Sequence, residues 1–319
     1  MWTFAAVGAS AALLNLAPGP RSIGRWAAVG YRRLREHTVP RSMTTAPGAT
    51  MTWALYPEHG TMQDPARRNA FHGAFARALT FVGGQARTSG IQIHVTHHAA
   101  TVDSTTHTQT ISVHVPKNVG SSDRILDTIE GEFATLGLLI PVDPDPIPVV
   151  TERGPGWVEL EGGRYAATAR ITGWPAETDG DLMPRLLLGT PRDKDRDTAP
   201  ERAMAVLYRP LTARQSRTSA KWADAASGAF TTDKIKAESQ SLAGDTRREA
   251  LVQGATLVDI DAYLTVWGDS PESVNAARRQ TSLTADRYRI DLEWLAGQQH
   301  RAHVMTSPHG ARTRKGAIL

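Results

Sequence analysis

The sequence predicts an α+β protein, two α/β sandwich-like units behind a short N-terminal membrane or juxtamembrane helix, and three observations predict it. The first is a period-two stretch late in the chain. From Ala255 to Trp267, Val258, Ile260, Ala262, Leu264 and Val266 fall on one face, with Asp259, Asp261 and Thr265 on the other. That is the pattern of a half-buried strand. The second is a strand, helix, strand succession that occurs once in each half of the chain. The third is an apolar, uncharged opening, Trp2 to Ala17, stopped by Pro18-Gly19-Pro20 and followed by Arg21, Arg25, Arg32, Arg33 and Arg35.

Taken in order, residues 1–38 form an expected anchor. The apolar run is near the lower limit of about 17 residues for a spanning helix. No Lys or Arg precedes it, as a secretory signal would require. The arginines that follow place the bulk of the chain on the cytoplasmic side and offer contacts to an anionic membrane surface. Val39 to Thr50 reads as a linker. In the first unit, 50–150, a short strand spans Met51 to Tyr56. A helix follows from Asp64 to Thr80, with Phe71, Phe75, Ala78 and Leu79 inward, and Gly83-Gly84 ends it. Ile91 to Val95 and Gln109 to Val115 are strands. Ser121-Ser122-Asp123 caps a helix from Arg124 to Leu136 with Ile125, Ile129, Phe133 and Leu136 inward, and Pro141 to Pro148 closes the unit.

The second unit, 156–310, opens with a hairpin. Trp157 to Leu160 returns through Glu161-Gly162-Gly163 into Tyr165 to Ile171. Asp193 to Arg196 is a charged loop, and Ala203 to Tyr208 is a strand. Thr212 to Glu249 reads as one or two interrupted helices. After the period-two strand, Ser270 caps a helix from Pro271 to Tyr288, and a last strand begins at Arg289 to Leu292. Arg301, His303 and the tail 311–319, with Arg312 to Lys315, read as a basic, solvated and disordered end.

Composition narrows the chemistry. Hydrophobic residues make up 40% and charged residues 21%, which permits folded cores, and the net charge of +4 argues only weakly for anionic partners. Cysteine is absent, which excludes disulfides, thiolate metal sites and cysteine nucleophiles and suits a cytosolic or cytosol-facing protein. A P-loop needs Gly, four residues and Gly-Lys-Ser/Thr; the nearest approach, Gly19 to Trp26, lacks both the lysine and the hydroxyl and follows no strand. Nucleotide hydrolysis is not expected, and no Gly-x-Ser-x-Gly elbow supports a hydrolase triad.

His94, His97, His98, His107 and His114 invite a metal reading. His94 and His98 share a strand face but sit roughly 13 Å apart, too far to chelate one ion. His94 approaches His114 if their strands pair. The competing expectation is polar residues on an exposed strand face, with His97-His98 in a loop. Asp259 and Asp261, side chains roughly 6.5–7 Å apart, fit acid–base work or, more simply, acids on an amphipathic edge strand. No catalytic residue, cofactor or metal ligand is assigned.

The succession Tyr165 to Pro175, Leu207 to Leu211, Arg247-Arg248-Glu249, Gln253 to Asp259, Asp269 to Ser273 and Ser307-Pro308-His309-Gly310 resembles the ATPase-lacking N-terminal half of conjugative (type IV secretion) ATPases, in the split form of actinobacterial conjugative elements. There the half is often preceded by a PrgI-like membrane hairpin, and Leu13 to Arg35 looks like the tail of one. Thr38 to Val150 shows no such match. The resemblance implies a non-enzymatic scaffold at the cytoplasmic membrane that docks a separate secretion ATPase and other membrane components, with a homo-oligomer also open. An EccE-like component of type VII secretion, or a metal-dependent enzyme using the His94–His114 region, are the alternatives.

Overall fold

A computed structural model describes residues 47–61, 64–85, 90–102, 104–117, 121–175, 182–188, 200–212, 214–218 and 257–313. The expected anchor with its five arginines, the 193–196 loop, most of the 212–249 helices and residues 314–319 lie outside them. Among the described residues, no helix is long and apolar enough to cross a membrane.

The fold is mixed α+β around one large antiparallel sheet. Its strands are β1 (Gly48–Pro57), β2 (Gln92–Val102), β3 (Ser104–Pro116), β4 (Gly137–Pro141), β5 (Val150–Arg153), β6 (Val158–Leu160), β7 (Arg164–Gly173), β8 (Arg202–Pro210), β9 (Val258–Gly268) and β10 (Asp291–Trp294). Their spatial order is β4-β1-β3-β2-β8-β9-β7-β6-β5, and β10 shares the β6 edge of β7. Strands from both halves of the chain meet in this sheet, where β2 pairs with β8 from Ile93↔Tyr208 to Ala99↔Arg202. The β6–β7 turn is the Gly-Gly turn expected from sequence: Gly162 and Gly163 take φ of +91° and +77°, a region that favours glycine.

Strand parity divides the sheet into two unlike faces. One carries Trp53, Leu55, Ile93, Val95, Ile111 and Val113 and is covered by helices α1 (Pro65–Gln85) and α2 (Ser122–Phe133). Further along that face, Ile171, Met204, Ala262 and Leu264 pack beneath α3 (Leu182–Leu188) and α4 (Pro271–Arg287). Asp64 starts α1 by accepting from the Ala66 amide at 2.8 Å, but the helix runs through Gly83-Gly84 to Gln85. Ser270 and Ser273 form a reciprocal capping box on α4, with Pro271 in its first turn.

The opposite face is covered without a long helix. A strap, residues 295–313, follows β10 and crosses the sheet towards β1 as the short helix α5 (Gln299–Ala302) and two 3-10 turns, His303–Thr306 and Pro308–Arg312. Leu207 and Tyr263 pack there against Leu295, Ala302 and Met305. The strap corrects the expectation of a solvated basic end, because His303, Ala311 and Thr313 are buried. It also corrects the reading of β9. That strand is central and the strap covers its polar side, so Tyr263 and Thr265 are buried as fully as Leu264, while Ile260 at the strand start is exposed.

Candidate functional site

The strap face gathers Asp259, Asp261, His94, His98 and His114 of the polar side chains singled out from sequence, while His97 and His107 lie on the helix-covered face. Asp261 is not on a sheet edge. It lies between two guanidinium groups, bonding Arg170 from β7 and Arg209 from β8. Arg209 also reaches Asp259 at 4.0 Å and donates to Gln92 at 3.2 Å. Burial pushes the Asp261 carboxyl up, but the hydrogen bond and charge of Arg209, then those of Arg170, outweigh it and hold the group below its ordinary range. Burial, reinforced by the Asp261 charge, pushes neighbouring Tyr263 up to about 12. The cluster is a fixed ionic brace across three strands.

The two histidines weighed as a metal pair are buried rather than exposed, and the register separates them. His114 lies opposite Gln92 and His94 opposite Ser112. His94 donates from Nε2 to the Met305 carbonyl at 2.7 Å, so its Nδ1 accepts from Thr96 at 3.2 Å. Burial drives its pKa down to about 4, against the opposing effect of the Met305 bond. A Cβ at position 310 would meet His94 Nε2 at 2.7 Å, so glycine lets the strap sit directly on the ring. His114 pairs with Thr50 at 2.9 Å, and Arg312 donates to the same hydroxyl at 3.0 Å. Burial, then the Arg312 charge, lowers the His114 pKa.

Further along, the Thr306 hydroxyl donates to Thr265, which pairs with Thr168 at 2.8 Å. Gln299 grips both the amide and the carbonyl of Thr168, at 2.7 and 2.9 Å, as a neighbouring strand would. No sequence pattern marks Gln299. Its role follows only from where the strap lands.

Beside the strap an open cleft of about 450 Å³ remains on this face, lined in part by Thr96, His98, Thr110, Glu201, Trp267 and Ser307. His98 lies in β2, not in a loop, because β2 continues to Val102. It meets Glu201 at 2.7 Å, and Glu201 also binds Arg164. His98 sits edge-on to Trp267 at 5.6 Å, and the Arg164 guanidinium lies 5.8 Å from the same ring. Burial raises the Glu201 pKa, but His98 and Arg164 override this and lower it. The Ser307 hydroxyl is already donated to the Val304 carbonyl.

One row of the sheet links this cleft to the free edge. Ile140 pairs with Ala54, Ala54 with Thr110, and Thr110 with Thr96. At that edge Tyr56, Leu138, Ile140 and Val142 are exposed. Tyr56 and Leu138 are direct cross-strand partners. The edge strand β4, Gly-Leu-Leu-Ile-Pro, carries no charge.

Fold and site together define an antiparallel-sheet α+β protein with one helix-covered face and one strapped, polar face. The sequence matches no protein-family model and no curated protein.

Proposed function

We propose that this chain is a non-catalytic docking subunit that presents the β4 edge and the adjoining cleft to a protein partner. The observation that carries this reading is the edge itself. Leu138 is 63% exposed and Tyr56 56%, in a short uncharged strand whose outer backbone groups have no strand beside them among the described residues. Natural proteins shield free edges with charge or cover, because an apolar edge pairs with other chains. Support for binding over catalysis comes from Asp261, Arg170, Arg209 and His94, which are engaged in the ionic brace and the Met305 contact.

The sequence resemblance gives the reading its setting: a scaffold of a conjugative or type IV secretion apparatus, with a separate ATPase as the partner. In this reading residues 1–38 attach the chain to the cytoplasmic membrane, and 50–150 and 156–310 are two α/β units sharing one sheet. The test is membrane fractionation of the tagged chain followed by identification of co-purifying proteins, for the wild type and for Leu138→Lys with Ile140→Lys. Recovery in the membrane fraction with a P-loop ATPase, lost in the edge variant, is the expected result. A monomer outside the membrane fraction with no such partner, or an edge variant that retains the ATPase, overturns it.

A further inference from the structure

The five histidines of the β2–β3 hairpin do not form one cluster, because strand parity splits them. His94, His98 and His114 belong to the strap face, where they meet Met305, Glu201 and Thr50. His97 and His107 belong to the helix face. There His97 lies opposite Gln109 and Met204, and His107 opposite Ala99, so the two rings face each other diagonally across paired strands. The rings are nearly parallel at 11°, with centroids 5.4 Å apart, and Nδ1 of His97 lies 3.2 Å from Nε2 of His107.

We propose that His97 and His107 form a two-nitrogen site for a divalent transition ion of the zinc, nickel or copper class. Imidazole nitrogens bind zinc at about 2.0–2.1 Å, so nitrogens at this separation would subtend roughly 100° at a shared ion, and each ring must swing by about 40° from its present edge-to-edge alignment to turn its lone pair onto that ion. Zinc, nickel and copper(II) all favour imidazole, whereas magnesium and calcium favour oxygen. In the metal-free pair one ring donates and the other accepts. Binding an ion needs a lone pair from each, so the donor ring moves its proton to its other nitrogen with no change of charge.

The surroundings suit that exchange. Burial holds His97 at about 4, with the His107 charge acting in the same direction, and burial also lowers His107. Both rings are therefore neutral ligands at pH 7, and protons compete weakly for the nitrogens. Despite that partial burial the His107 side chain remains solvent-accessible, which gives an ion a route in. Among the described residues no group of three His, Asp or Glu side chains converges on one point. Water therefore completes the coordination, and the ion clips β2 to β3 near the end of their hairpin. This site lies on the opposite face from the cleft and does not depend on the docking reading.

The test is calorimetric titration of the untagged full chain with zinc, nickel and copper(II) chlorides, with thermal melts at each endpoint. The expected result is one ion per chain, a dissociation constant below roughly 100 µM, and a raised melting temperature. His107→Gln should weaken binding at least tenfold. Because His107 is exposed, its metal-free melt should match the wild type, which separates loss of a ligand from loss of the fold. His98→Gln, on the other face, should bind like the wild type. No binding below 1 mM, or binding lost in His98→Gln and kept in His107→Gln, overturns the proposal.

Discussion

Replacing Asp261 by asparagine keeps the shape of the side chain and removes the one charge that reconciles Arg170 with Arg209. The two arginines do not respond equally. The Arg170 side chain is 37% exposed and can turn to water, whereas Arg209 is 12% exposed and held by Gln92. Removing one partner of a buried ion pair costs about 3–5 kcal/mol, and the escape of Arg170 brings the expected loss to about 2–3 kcal/mol. A domain of this size shifts by about 2–4 °C per kcal/mol, so the melting temperature should fall by roughly 5–10 °C. The pH dependence gives the sharper test. The folded-state pKa of Asp261 is depressed below its ordinary value of 3.8. Its contribution is therefore fully present above that value and is lost as pH falls through the lower, folded one. Urea unfolding of both proteins from pH 7 to pH 3 should show a constant gap down to about pH 5 that narrows below 4. A gap under about 0.5 kcal/mol at pH 7, or one that stays the same at pH 3, would refute the brace.

Other expectations follow from the same geometry. Gly310→Ala drives a methyl group against His94, so we expect a loss of about 1–3 kcal/mol and faster amide exchange across 303–313, read by mass spectrometry. A buried neutral histidine makes stability fall as pH drops below 6.5 and continue falling until its folded value near 4. His94 alone should account for roughly 3 kcal/mol of that acid loss, and His94→Gln should flatten the limb in denaturant titrations at pH 7, 5 and 4. Trp53→Ala empties a fully buried site beneath α1 and α2 and should cost about 3–5 kcal/mol by chemical denaturation. Leu138→Lys, at an exposed position, should change stability by no more than about 0.5 kcal/mol while reducing partner recovery in the pulldown.

Elements announced by periodicity and caps were readable from sequence. The Ser270-Pro271 start of α4, the Gly162-Gly163 turn and the inward Ile129, Phe133 and Leu136 all follow from local rules. Long-range pairing carries no such local mark. β9 reads as half-buried because Asp259, Asp261 and Thr265 are polar, and only the strap, laid over that side while α4 covers the other, buries both faces. The same holds for His94 and His114, whose burial is decided by a strap some 200 residues further on. The strap itself has basic, weakly periodic composition that reads as solvated. Its order comes from Gln299, Thr306 and Arg312 bonding the sheet, and nothing in their spacing says what lies beneath. The histidine spacing does not say which rings meet: strand parity brings His97 to His107 instead of His94 to His114.

The strap comes after all ten strands of the described residues, which bears on how this face is closed. A ribosome releases β1 through β10 while residues 295–313 are still emerging or yet to be added, so one side of the nascent sheet waits uncovered. A greasy side in that position would recruit neighbouring nascent chains. Around Leu207 and Tyr263 this side instead presents threonine, serine, histidine and an arginine–aspartate brace, groups that water satisfies until protein replaces it. A face of this polarity tolerates water until residues 295–313 are in place, and the strap then exchanges that water for the bonds of Gln299, Thr306 and Arg312.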